Sequence, residues 1–355
     1  MKKNFRKITM LALAITVLAS CKKDQMIDDG GVPVAGNYEN GYFVTNEGNF
    51  GTGNGSISFV NDDGVVKNNV FSSVNSFALG DVVQSMTIIN DNAYILVNGS
   101  SKIEVASIDS MYSVATINTV SPRYMAEVSD VKAYVTDWGI NGVQVIDLLT
   151  NTISSTIACG TGPEGITVDN GFAYVCNVGG WGLDNTVSVI NTGTDALETT
   201  LTVGDKPNSV VVDANGAVWV LSGGYTEWNE DYTEILSQTS GSLVKIVNNI
   251  IELSIDFPIG NSPQNLLVND AGTTLYYSDG SWSKAVYAFN VNDTELPTTA
   301  LINRSFYGLG FDNGYIYGTD AVDFTQSGWS YKYTTEGTII DSVQVGIIPG
   351  GYCFN

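Results

Sequence analysis

The chain is 355 residues long, with 37 Asp and Glu against 15 Lys and Arg, a formal charge of −22 at pH 7, and no histidine. So sparse and scattered a set of basic residues excludes a nucleic-acid binder, which needs clustered Lys and Arg to displace phosphate counterions. The missing histidine excludes Ser-His-Asp and Cys-His nucleophiles and HExxH metal sites, leaving any enzyme to run on carboxylates, Lys, Tyr or Ser.

Residues 1–20 carry Lys2, Lys3, Arg6 and Lys7, no acid, and an apolar run over 8–19 broken only by Thr9 and Thr16. That pattern predicts a secretory signal peptide, the run being too short for a membrane span, which takes roughly 20 apolar residues. It closes in Leu18-Ala19-Ser20-Cys21, which resembles the lipobox of bacterial lipoproteins. The resemblance implies cleavage before Cys21, with diacylglycerol on its sulfur and an acyl chain on its new amino group, a two-signal anchor. An ordinary signal peptide followed by a chance cysteine is the alternative. A polar tether over 21–38, with Asp24, Asp28 and Asp29, then leads to a single domain over 39–355. Cys159, Cys176 and Cys353 are odd in number and lack CxxC spacing, so they read as apolar thiols rather than a disulfide frame or a zinc site.

Short apolar runs opening on an aromatic recur seven times, at Phe43, Tyr94, Tyr134, Tyr174, Trp219, Tyr276 and Tyr317, spaced by 51, 40, 40, 45, 57 and 41 residues. Each is followed by a Gly-rich loop and an alternating strand such as Thr186-Val187-Ser188-Val189-Ile190, and several units end in a turn with proline, as at Pro163, Pro207 and Pro263. Four-strand units of this period predict an all-β, seven-bladed β-propeller with four-stranded blades; a large β-sandwich is the alternative. The first unit opens at its second strand, whereas the chain ends in Pro349-Gly350-Gly351-Tyr352-Cys353-Phe354, which matches the proline-containing first strand of the others. The C-terminal strand is therefore expected to pair into the first blade and close the ring. Asp62-Asp63-Gly64 and Asp312-Asn313-Gly314 read as turns rather than calcium loops.

In such blades the loops between second and third strands share one face, here 47–54, 99–102, 138–141, 178–185, 223–241, 280–284 and 321–328. They or their ends hold Trp138, Trp181, Trp228, Trp282 and Trp329, five of the six tryptophans. Indole in a polar loop on a rigid scaffold suggests aromatic platforms around a channel mouth. Phe50, Tyr225, Tyr232 and Phe324 are expected on that face, with Asn46, Glu47, Asp137, Asn177, Asp279 and Asp320 as polar partners at the strand ends. Tryptophans sealing one blade against the next are the alternative. The insertion 223–241 is too long for a simple hairpin turn and reads as a lid or an acidic excursion. Glu47 and Glu164 are also a candidate carboxylate pair for glycoside hydrolysis, a chemistry decided by their separation in space.

Asn46-Glu47-Gly48-Asn49-Phe50-Gly51, Leu79-Gly80-Asp81, Ser121-Pro122-Arg123-Tyr124 and Gly162-Pro163-Glu164-Gly165 resemble the YncE-like propeller lipoproteins of Bacteroidetes, over nearly the whole chain beyond the signal peptide. That group includes the BtuG type, surface lipoproteins that capture cobalamin and pass it to a TonB-dependent transporter. The resemblance implies a non-enzymatic, outer-membrane-anchored binder that meets the membrane through its lipid alone and needs no cofactor. Arg123 and Tyr124 join the ligand-binding candidates through this motif. A glycan-binding lipoprotein and a protein-interaction scaffold are the competing readings.

Overall fold

The computed structural model describes residues 38–280 and 284–355. The signal peptide, Cys21 and all of the tether but Tyr38 lie outside the described residues, as does Trp282. Tyr38 is itself part of the first blade: it is buried against Phe43 and Phe59, and its carbonyl accepts from Asn355 Nδ2 at 3.0 Å.

Seven antiparallel sheets of the described chain are the blades of a β-propeller, and a two-stranded hairpin stands apart from them. Blade 2 shows the plan, with Val83–Ile89 innermost, then Asn92–Val97, Lys102–Ser107 and Ser113–Asn118 outermost. Blades 3, 4, 5 and 7 repeat it, their innermost strands being Pro122–Ser129, Pro163–Asp169, Pro207–Val212 and Leu309–Asp312. Blade 6 has three strands from Pro263–Val268 outward. Its fourth position is taken by an irregular segment bridged at Val286 and Ile302, where the run Asn290-Val291-Asn292-Asp293 and Pro297 disfavour a regular strand.

The aromatic-led runs form the second strands, and the reason is double burial. In Asn92–Val97, Tyr94 and Leu96 pack toward blade 3 while Ala93, Ile95 and Val97 pack toward blade 1. Successive side chains of a strand point to opposite faces, so a strand covered on both sides must be apolar throughout. One apolar cluster fills the space between each neighbouring pair of blades, all the way around the ring. Cys176 and Cys353 belong to these clusters and Cys159 lies at the edge of one; all three are free. Burial pushes the Cys159 thiol up to about 11 and Cys353 up to about 12.

The ring closes where expected. Pro349–Phe354 is the innermost strand of blade 1 and pairs with Gly41–Asn46, Val44 opposite Tyr352 and Phe43 opposite Cys353. Tyr42, Tyr317, Tyr352 and Phe354 form an aromatic stack across the seam of blades 7 and 1, with ring centroids 4.9 to 6.1 Å apart. Asn313 and Gly314 both take positive φ, as their turn requires.

Trp219 is fully buried between blades 5 and 6, and its Nε1 donates to Asp213 Oδ2 at 2.9 Å. Trp219→Phe leaves that buried carboxylate one donor short, a cost of about 1–3 kcal/mol. Thermal unfolding should register the loss, while ligand binding at the channel mouth stays at the wild-type level.

Candidate functional site

A backbone irregularity recurs at the head of the innermost strands and builds the site. The ladder register slips between Val83 and Ser85, Pro122 and Met125, Pro163 and Ile166, Pro207 and Ser209, and Gln264 and Leu267. In blade 1 the same slip leaves Gly350 unpaired between Pro349 and Gly351. A bulge of this kind bends the strand and re-aims its side chains. The proline helps cause it, because it offers no N–H to the neighbouring strand. The freed residues, among them Gln84, Arg123, Tyr124, Glu164 and Asn265, line a cavity of about 970 Å³ at the mouth of the channel.

Arg123 is the centre of the cavity floor. Its Nε and Nη2 each donate to one oxygen of Glu164 at 2.8 Å, its Nη1 donates to Gln84 Oε1, and its guanidinium lies 4.3 Å from the centre of the Trp138 ring. A two-pronged pair with an aromatic lid suits arginine's planar fork. Tyr124 stands beside this pair, its hydroxyl pushed up to about 12 by burial and by the nearby Glu164 carboxylate. Opposite, Tyr307 donates through one hydroxyl to both oxygens of Glu47, at 3.1 and 3.2 Å. Burial raises the Glu47 carboxyl above its ordinary range, against the lowering effects of Tyr307 and Arg123.

Above the floor the loops supply aromatics. Trp138 opens a short 3-10 turn, Trp138–Ile140, that is held by Asp137, whose carboxylate accepts from the backbone N–H of Gly139, Val120 and Ser121. Trp181 meets it edge-on at 6.0 Å and is otherwise 99% exposed; Phe50, across the mouth, is 85% exposed. Of the residues proposed from sequence, Glu47, Phe50, Arg123, Tyr124, Trp138 and Trp181 therefore meet at one cavity.

The rest lie elsewhere. Asn46, Asp137, Asn177 and Asp279 end their second strands fully buried, tying neighbouring turns and strands together. Asp320 is bound by Arg304 and by the N–H of Val322. Their recurrence at one blade position reflects this capping, which leaves them facing the protein and not the channel. Trp329 sits inside the strand Ser327–Thr334 opposite Asp320 and away from the cavity. Phe324 packs edge-on against Tyr307, ring centroids 5.5 Å apart, as a support for it. The insertion 223–241 holds an ordered hairpin and is not a disordered excursion. Thr226–Trp228 pairs with Ile235–Gln238 in a hairpin whose tip is fastened by the Asn229 side chain. Trp228 and Tyr232 stand exposed on that hairpin, and Tyr225 packs at its base near Lys206, so none of the three lines the cavity.

Gln84, Asn265 and Tyr307 are cavity residues that the sequence reading did not single out. The signal for the first two was the position just after each turn, where Arg123 and Glu164 also stand; Tyr307 had no such signal because it lies ahead of Leu309–Asp312, a strand with no proline at its head. Among the described residues no group of acidic or cysteine side chains is placed to hold a metal ion.

Residues 40–341 match the sequence family described as "Domain of unknown function (DUF5074)". No curated protein matches the chain. Among solved structures, it is similar to a quinonprotein alcohol dehydrogenase-like protein, BT1487, from Bacteroides thetaiotaomicron VPI-5482, with 15% identity and a TM-score of 0.67 over 89% of this chain and 78% of that one. A putative 6-phosphogluconolactonase from Bacteroides uniformis ATCC 8492 aligns with 12% identity and a TM-score of 0.64, over 88% of this chain and 98% of that one. The periplasmic gluconolactonase PpgL of Pseudomonas aeruginosa aligns with 11% identity and a TM-score of 0.63, over the same shares. Likeness at this level of identity concerns the propeller fold, which hosts many activities.

Proposed function

This chain belongs to the DUF5074 family, and for it we propose a role in ligand capture: a lipid-anchored protein of the outer-membrane surface that binds a corrinoid in its channel mouth and hands it to a TonB-dependent transporter. The observation that carries the reading is the cavity itself. At about 970 Å³ it lies at the upper end of small-molecule sites, and its wall combines Trp138, Trp181, Phe50 and Tyr124 with the side-chain amides of Gln84, Asn98, Asn141 and Asn265. A corrinoid has the matching chemistry, a broad apolar macrocycle edged by primary amides that both donate to and accept from such groups. The lipobox-like Leu18-Ala19-Ser20-Cys21 and the acidic tether support the anchoring, and the resemblance to BtuG-type lipoproteins supports the handover.

The reading is of a binder rather than an enzyme. Both oxygens of Glu164 are engaged by Arg123, which withdraws it from service as a free acid or base, and the chain has no histidine. The gluconolactonase names belong to the structural neighbours.

The almost fully exposed indole of Trp181 favours a glycan as the second reading, since a flat ring open to solvent can stack on a sugar face. Tryptophan fluorescence of the full chain separates the two. Cyanocobalamin should quench it at a one-to-one ratio, and Trp181→Ala should weaken binding about tenfold with no change in unfolding temperature, because that side chain buries almost nothing in the free protein. A response to oligosaccharides alone would replace the corrinoid reading with the glycan one.

A further inference from the structure

The charges in the cavity floor do not balance. Arg123 is matched by Glu164 in a two-pronged pair, and its third arm is taken by Gln84. Glu47 has no such match: among the described residues it forms no ion pair, and the neutral Tyr307 hydroxyl is the one hydrogen-bond donor its carboxylate oxygens meet. Glu47 is half-buried at the cavity wall, and a carboxylate has about four acceptor positions, so a single hydroxyl donor leaves its oxygens open to a further donor from the cavity. A Cβ placed on Gly350 would lie 2.8 Å from Glu47 Oε1, so the glycine in the bulge of blade 1 lies directly against the carboxylate, and a side chain there would push it aside. Partial burial raises the Glu47 carboxyl above its ordinary pKa, with Tyr307 and Arg123 acting against it. Phe50, Trp138 and Trp181 line the same cavity.

We infer that Glu47 is the recognition group of the cavity, accepting an N–H from an uncharged amide or an ammonium group on an otherwise flat, apolar ligand, so that the site admits such nitrogen compounds and turns away the matching carboxylates. The inference rests on the reading of the cavity as a ligand site and adds its chemical selectivity. An N–H donor at Glu47 supplies the missing partner, whereas a ligand carboxylate would set like charges together in a partly dry site. The lone positive group nearby is already neutralised and geometrically fixed.

Indole-3-acetamide and indole-3-acetate differ in this one feature and serve as probes, titrated into the full chain and followed by ligand-observed NMR. The amide should bind at least tenfold more tightly than the acetate, and Glu47→Gln should reduce that ratio to less than threefold. Gly350→Ala, which crowds the carboxylate without altering charge, should also lower it and guards against a folding defect in the first variant. Equal affinities in the wild type, failure of both probes to bind, or a ratio unchanged in both variants would overturn the inference. Discrimination by Glu47 with no binding of cyanocobalamin would instead discard the corrinoid reading and leave the selectivity of Glu47 standing.

Discussion

Deletion of the C-terminal strand, Pro349–Phe354, should abolish folding of the whole propeller rather than loosen one blade. The strand is the innermost of blade 1, and its loss removes the pairing that closes the ring. It removes the ladder to Gly41–Asn46, the burial of Cys353 in the cluster between blades 1 and 2, and the stack of Tyr352 and Phe354 on Tyr42 and Tyr317. Burying a large apolar side chain contributes about 1.5–3 kcal/mol and each backbone hydrogen bond about 1 kcal/mol. The total is on the order of 10 kcal/mol, as large as the stability of a typical domain. The bared edge of Gly41–Asn46 would also invite association. Far-UV circular dichroism and size-exclusion chromatography of the truncated chain check this. A monomeric, cooperatively unfolding product would show that the seam matters less than its contacts imply.

Arg123→Ala should be the most damaging single substitution in the channel mouth. Arg123 and Glu164 are respectively 16% and 10% exposed, so removing the arginine leaves a carboxylate nearly dry and without its two donors. Breaking such a pair from one side typically costs about 3–5 kcal/mol, here a fall in unfolding temperature on the order of 5 to 10 °C. Replacing both partners, Arg123→Met with Glu164→Leu, should recover much of the stability while abolishing ligand binding. Calorimetric unfolding of the single and double variants distinguishes this from a simple packing defect, which the double replacement would deepen rather than repair.

The propeller was legible in the sequence because burial on both faces forces each second strand to be apolar throughout, a local pattern that repeats. Closure was legible because Pro349-Gly350-Gly351 copies the strand heads at Pro163 and Pro207. The site was legible in part. Trp138, Trp181 and Phe50 announced themselves as aromatics in polar loops, but Trp329 shared that signature while belonging to a strand, where alternation and not loop position sets its direction. Asp137, Asn177 and Asp279 were polar and recurrent, which suits a ligand contact and a turn cap equally well; only the hydrogen bonds to Ser121, Ser188 and Ser262 tell which role each has. Gln84 and Asn265 owe their place to bulges, a property of register between strands that no single strand reveals.

The most direct test of the account is calorimetric titration of the full chain with cyanocobalamin, repeated with Trp138→Ala. One-to-one binding in the wild type, weakened by tenfold or more in the variant, is the predicted result, because Trp138 both walls the cavity and covers Arg123. No heat of binding in the wild type, or undiminished binding in Trp138→Ala, would contradict the assignment of this cavity as a corrinoid site.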